Sequence, residues 1–368
     1  MKPFFFLILA IPLLAQAYIS WHVYRLLPFP TLWKVAAVAL MTAAFISFFL
    51  VFLLRDSGPI WLNTIFYEVG TSWLIILLYA TAIFLVADFA RLLRLLPPHL
   101  FNNSLLGTTL IIGSLIAVFS YGAWRYHNKV RTTLQLTTPS GKTLDKPLTI
   151  VMMSDLHLGY HNRRAELARW VNIINDEHPD LVLIAGDIID SSVRPLLHDN
   201  MAAELRRIQA PVIACLGNHE YYASTPAARQ FLNDAGITLL VDSATTVAGV
   251  TVIGRDDRTN PNRRPLQVLV NQADTSLYTI LLDHQPHNLD QARRCGIDLQ
   301  LSGHTHHGQV WPANWITDAI FEVAYGFKQK DSTAVYVSSG IGIWGGKFRF
   351  GTVSEYVVIN LAAPPTID

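Results

Sequence analysis

From Thr31 to Leu54 the chain runs through 24 residues with one charged side chain, Lys34 near the start. A hydrocarbon core of about 30 Å is crossed by about 20 helical residues rising about 1.5 Å each, so this stretch is long enough to span a bilayer. Ser72 to Ala87, extendable to Leu96, and Leu105 to Trp124 have the same texture. Phe4 to Ser20 is shorter, contains Pro12 and ends in Ala15-Gln16-Ala17, which also reads as a signal-peptide cleavage pattern. The expectation is a transmembrane region over 1–127, with four helices at about 4–20, 31–54, 72–96 and 105–124 and the first one uncleaved.

The charges divide in the same place. Residues 1–124 hold six Lys/Arg and three Asp/Glu, leaving 22 and 24 for the rest, so two solvent regimes share one chain. A net charge of +1 gives no global basic field, and nucleic acid is set aside as a default partner. The two cysteines, Cys215 and Cys295, build neither a disulfide framework nor a Cys/His zinc spacing. Four spans, or a cleaved signal and three, return the chain to the side where Arg125, Lys129 and Arg131 stand; this favours a multi-pass protein of the cell membrane with its C-terminal domain cytoplasmic. Arg25, Lys34, Arg91 and Arg94 count against that orientation. Asp88 is read as an interfacial acid beside Arg91.

After the spans the texture turns to Thr, Pro, Gly and Lys, in a linker over 128–147 that precedes a separate domain over 148–361 and a tail over 362–368. In the domain, short apolar runs stop at polar clusters: LTIVMM before SDLH, LVLIA before GDIID, VIACL before GNHE, YTILL before DHQP and DLQL before SGHTHHG. Each run has the length of a buried strand. Helical patterns lie between them, at Arg164 to Glu177 and Asp199 to Ile208, and AVYVSS and SEYVVINL are expected to complete a sheet. The alternation argues for α/β layers, whose sites gather where strands end.

Five of these ends carry chemistry. Asp155 and His157 are two apart after a strand, which puts them on one side if the extended backbone persists. His304 and His306 repeat that spacing; Asp187, Asn218 and His284 follow other strands. Carboxylates, imidazoles and an amide oxygen without a thiolate suit Mn, Fe, Zn or Co.

Asp-x-His, Gly-Asp, Gly-Asn-His-Glu, His and Gly-His-x-His, in this order and each behind an apolar run, resemble the calcineurin-like metallophosphoesterases, and GHTHHGQ and SSGIGIWGGKFRFGT look like a bacterial membrane-associated branch. Where His307 stands the usual residue of that branch is Gly, so a side chain is added beside the site. The resemblance implies an α/β fold, a four-layer αββα sandwich after the transmembrane region. It also implies two divalent metal ions, of Mn, Fe or Zn. One would be held by Asp155, His157, Asp187 and His306, the other by Asp187, Asn218, His284 and His304. His219 would serve the leaving oxygen as the catalytic acid, and Glu220 would orient a neighbour.

The function expected is a membrane-anchored phosphoesterase that hydrolyses a phosphodiester or pyrophosphate bond of a lipid-linked or nucleotide substrate, by direct attack of a metal-bound hydroxide. The alternative is a non-catalytic metal-binding scaffold or regulatory module. Lys347 and Arg349, in GKFRFG, are candidate substrate contacts. Gly340 to Gly345 spells GxGxxG without a following helical pattern, and there is no GxSxG, so dinucleotide and serine-hydrolase readings fail. His161, His178, His198, His287 and His307 are expected to be exposed or capping residues, of which His307 alone stands beside proposed ligands.

Overall fold

A computed structural model describes residues 2–54 and 57–363, except for the side chains of residues 2–9. Of the tail placed at 362–368, residues 364–368 lie outside the described residues. The chain divides into two compact units: Met1–Trp124 with Gly345–Phe348, and Arg125–Trp344 with the chain from Arg349 onward.

The first unit holds helices α1 (Lys2–Leu26), α2 (Thr31–Leu54), α3 (Ile60–Leu92) and α4 (Leu105–His127). Among the described residues three of them, α2, α3 and α4, are long and apolar enough to cross a membrane, one fewer than expected. α1 is helical, but much of the span expected at 4–20 falls on residues 4–9, whose side chains lie outside the described ones. Gln16 accepts from Trp73 Nε1 at 2.9 Å and so ties α1 to α3. α3 begins twelve residues before the expected span, because a helix continues through Asn63 and Glu68 where an apolar run does not. α2 and α3 meet closely at Gly70, where an added Cβ would lie 2.3 Å from the Phe48 backbone nitrogen. Leu40, Leu53, Val86 and Leu92 are exposed, an arrangement that water penalises and lipid does not. Asp88 meets Arg91 Nη1 at 3.0 Å, as their spacing suggests, and also accepts from Tyr18 Oη at 2.7 Å.

In the second unit the strands are β1 (Val130–Thr137), β2 (Leu148–Met153), β3 (Leu181–Ala185), β4 (Val212–Cys215), β5 (Thr238–Leu240), β6 (Ser243–Val247), β7 (Val250–Gly254), β8 (Tyr278–Leu282), β9 (Leu299–Ser302), β10 (Gly326–Lys330), β11 (Thr333–Val337) and β12 (Glu355–Ala362). They form two six-stranded sheets, ordered β1-β12-β2-β3-β4-β5 and β10-β11-β9-β8-β7-β6. Ile150, Met152 and Leu183 from the first interleave with Val252, Ile280 and Leu301 from the second. On the outer face of the first sheet Val151, Met153, Val182 and Ile184 pack against Leu167, Trp170, Val171 and Ile174 of the Arg164–Asp176 helix. Outside the second sheet, Ile253 and Leu281 pack against Leu266, Leu269 and Ala292. Four layers result, and the central strands read as unbroken apolar runs because both of their faces are covered.

Three local expectations differ. Residues 130–137, placed in the linker, form β1, which pairs in parallel with β12 through alternating half-buried positions. The helix expected over Asp199 to Ile208 is two short ones, Arg194–His198 and Met201–Leu205, parted by Asn200 at φ 50°. AVYVSS and SEYVVINL enter different sheets, as β11 and β12. The segment between those strands crosses the end of the sandwich where the motif loops gather.

Candidate metal centre

The five parallel strands β2, β3, β4, β8 and β9 end where Asp155, Asp187, Asn218, His284 and His304 begin their loops. The extended backbone does not persist there: Asp155, His157, Asp187, His304 and His306 have φ of 54°, 45°, 52°, 73° and 48°. Asp155 and His157 therefore share a side through sharp turns, not through strand alternation. Left-handed backbone costs about 1–3 kcal/mol per non-glycine residue and survives only where the surroundings over-determine it. Glu220 is one of those constraints. Its buried carboxylate accepts from the backbone nitrogens of Asp187, Ile189 and Gly217 at 3.1, 2.9 and 2.7 Å, clamping two loops together. Gly217 is the other: a Cβ there would stand 2.1 Å from Asp187 Oδ1.

Three groups result, each with one donor atom per residue and all donors within 4.8 Å of one another: Asp155, His157 and His306; His157, Asp187 and His219; Asp187, His284 and His304. Asp187 Oδ2 lies 3.8 Å from His157 Nε2 and 3.1 Å from His284 Nε2, and Oδ1 accepts from His219 N at 2.9 Å. Asn218 Oδ1 meets His304 Nδ1 at 2.8 Å. Asp155 accepts from the backbone of His304 at 3.0 Å and from the Ser154 hydroxyl.

The directions of the lone pairs test whether cations fit. The Ala185 carbonyl can only accept, so His284 Nδ1 carries the hydrogen in their 2.7 Å contact, and Nε2, 3.1 Å from Asp187 Oδ2, is the nitrogen left to share a proton with that carboxylate or to meet a cation. His157 Nε2 and His306 Nε2 face each other at 3.0 Å, and His157 Nδ1 turns to Asp190 Oδ1 at 3.4 Å. Among the described residues His284 Nε2 and His306 Nδ1 are buried without a hydrogen-bond partner. Electron-rich atoms packed this closely need positive charge among them, and these O and N donors are ones that divalent transition ions accept. The residues fit a pair of such ions.

Without a cation the same atoms share protons, and the carboxylates and imidazoles shift one another. Burial alone would push the Asp187 carboxyl up, but His284 and His219 hold it well below the usual range. Burial pulls His219 down; the Asp187 and Asp190 carboxylates outweigh it and push this imidazole up to about 9. Burial, reinforced by His284, takes His304 down to about 4.

Asp190, the last residue of GDIID, was not among the expected residues, although it is fully buried at the site. Its carboxylate lies 3.4 Å from Nδ1 of both His157 and His219, and its carbonyl accepts from His219 Nδ1 at 2.8 Å. A second acid three positions after Asp187 was the available signal. Arg349 is corrected: it is fully buried and donates to the carbonyls of His306 (2.7 Å), Ser339 and Gly342, so it braces the loop and has no arm free for substrate. Lys347 falls in the segment that groups with the helical unit and does not line the cavity at the centre. His161 is buried, with Nε2 on the Ile343 carbonyl at 2.7 Å, not exposed. His307 does not narrow the site. It has φ 48°, where glycine is at ease, and turns away to stack on Tyr325 and meet Asp318 at 3.4 Å. The cavity, about 250 Å³, is lined by Asp187, Asn218, His219, His304, His306 and Trp344 among others.

The sequence profile described as Calcineurin-like phosphoesterase matches residues 148–308. An uncharacterized metallophosphoesterase of Helicobacter pylori (strain J99) is 31% identical over 258 residues, covering 68% of this chain and 70% of that protein. A protein of Danio rerio described as a transmembrane protein with metallophosphoesterase domain is 29% identical, covering 89% of this chain and 80% of its own. A match of that extent reaches beyond the sandwich into the helical unit. An uncharacterized metallophosphoesterase of Bacillus subtilis, YkuE, is 29% identical over 58% of this chain and 78% of its own.

Proposed function

The chain belongs to the calcineurin-like phosphoesterases, and from that premise we propose that it hydrolyses a phosphodiester or pyrophosphate bond at two divalent cations held by the loops of the sandwich. Asp155, His157, Asp187 and His306 hold one, and Asp187, Asn218, His284 and His304 the other. The observation that carries this reading is that Asp187 belongs to two donor groups, with Oδ2 3.8 Å from His157 Nε2 and 3.1 Å from His284 Nε2. When bound, such a pair polarises phosphoryl oxygens and makes a water more acidic.

The chain's own groups do the rest. The carboxylates of Asp155, Asp187 and the neighbouring Asp190 offset most but not all of the charge of two divalent ions, so a phosphate ester is attracted. His219 lines the cavity with Nδ1 committed to the Asp190 carbonyl, which leaves Nε2 as the nitrogen that hands a proton to the departing oxygen. Asp190 fixes the tautomer and ring plane of His219, and Glu220 holds the loops that carry Asp187 and His219.

In the same reading α1 crosses the cell membrane together with α2, α3 and α4, an even number of crossings in a multi-pass protein, and the catalytic unit is cytoplasmic, supported by Arg125, Lys129 and Arg131 after α4. The substrate is a lipid-linked or nucleotide phosphoester, and the membrane helices would bring the site to the first of these. The test uses the full chain in detergent, stripped of metal and resupplied with Mn, Zn or Fe, with metal content measured alongside hydrolysis of bis(4-nitrophenyl) phosphate. Metal-dependent turnover is expected; metal uptake without turnover on any ester would favour a binding scaffold. A reporter fused after Asp368 is expected to be active only on the cytoplasmic side, and an external signal would reverse the orientation.

A further inference from the structure

The loop that contributes His304, His306 and Gln309 to the cavity runs straight into Trp311 and the Ala313–Ile320 helix. In a helix bound to a soluble domain the apolar side faces inward. Here it does not. Trp315, Ile316 and Ile320 are 63%, 60% and 62% exposed, Trp311 before them is 47% exposed, and no residue of the helix is buried. Positions 315, 316, 319 and 320 fall on one face of a 3.6-residue helix, so the exposed apolar side is contiguous. The acid of this helix is turned the other way, with Asp318 meeting His307 at 3.4 Å. The acid just beyond it, Glu322, is paired with Lys328 at 3.1 Å and Lys330 at 2.5 Å. Both carboxylates that would repel a phosphate-rich surface are thus engaged by cationic or protonatable partners, while two indoles and two isoleucines face outward.

We infer that Trp311 and the outward face of the Ala313–Ile320 helix dock on the headgroup and upper acyl region of a lipid bilayer. Short amphipathic helices carrying Trp and Ile lie in that plane, where the indole is both wetted and apolar. The chain keeps a bilayer within reach: α4 ends at His127 and β1 starts at Val130, so the sandwich is tethered to the end of an apolar helix long enough to be a span. Trp311 N also donates to Phe350 O at 2.8 Å, two residues after the segment that groups with those helices.

This inference rests on the reading of α2–α4 as spans and is independent of turnover. It is tested on the full chain in phosphatidylglycerol/phosphatidylcholine proteoliposomes, in a Cys295→Ser background, Cys215 being buried. A nitroxide is placed in turn at Ile316→Cys, Ile320→Cys, the exposed Arg229→Cys on the Thr225–Asp234 helix and Leu40→Cys in α2. Its collisions with oxygen and with a water-soluble nickel chelate are compared. A ratio of oxygen to nickel collisions at 316 and 320 several-fold above that at 229, and closer to that at 40, is expected. A ratio at 316 and 320 equal to that at 229 overturns the docking. Low access to both reagents means that protein, such as a second copy, covers the face, and overturns it too. A water-like ratio at 40 instead removes the spans, and the docking with them.

Discussion

His219 donates from Nδ1 to the backbone carbonyl of Asp190 at 2.8 Å, while the carboxylate of the same aspartate stands 3.4 Å from that nitrogen. One residue therefore fixes both the tautomer and the plane of the imidazole that closes the cavity. Because the carboxylate also faces His157, Asp190 couples the proposed acid to the proposed metal centre. Asp190→Asn keeps the volume and removes the charge. Turnover is expected to fall about 10- to 100-fold, the range for a group that orients a ligand or acid. The loss should shrink when His219 is already alanine, because the two act as a unit. Full additivity in that double-mutant cycle would separate Asp190 from His219.

His219→Ala is expected to retain both metals by elemental analysis and to lose about 10²- to 10⁴-fold in turnover on an ester with a poor leaving group, the range for removing acid catalysis. The loss should be smaller on a nitrophenyl ester, whose leaving oxygen needs no proton. An equal loss on both would assign His219 to another task.

Gly217→Ala puts a methyl group where Asp187 Oδ1 lies 2.1 Å away. Asp187 must then move, and metal content measured on the purified chain should drop. Full occupancy with unchanged activity would show that the loop yields without disturbing Asp187.

Arg349→Ala leaves three carbonyls and the Ser354 hydroxyl without their buried donor. A stability loss of about 3 kcal/mol or more is expected, since each hydrogen bond to a charged group contributes about 1.5–3 kcal/mol. Arg349→Lys should recover only part of it, lacking the planar fork. Thermal unfolding followed by tryptophan fluorescence reads both. Unchanged unfolding with a raised KM would return Arg349 to the substrate.

The central strands are legible because β2, β3, β4, β8 and β9 are covered on both faces and appear as apolar runs, and the polar clusters behind them are the loops that the structure brings together. What escapes is whatever depends on a third partner. β1 reads as a linker because Val130-Arg131-Thr132-Thr133 alternates weakly and is ordered by pairing with β12. Asp190 looks like a loop acid until the turn after Asp187 aims it at two imidazoles. Arg349 looks like a solvated basic turn, and only the crossing segment between β11 and β12 buries it. The outward Trp315 and Ile316 have an ordinary helical pattern; their orientation, not their spacing, is the information.

The most direct measurement of the central claim is elemental analysis paired with turnover for the parent and Asp187→Asn, both as full chains in detergent. Two transition ions per parent chain, with fewer ions and a rate lower by orders of magnitude in the variant, are predicted. A parent that turns over without a bound transition ion, or an Asp187→Asn as fast as the parent, would contradict the account.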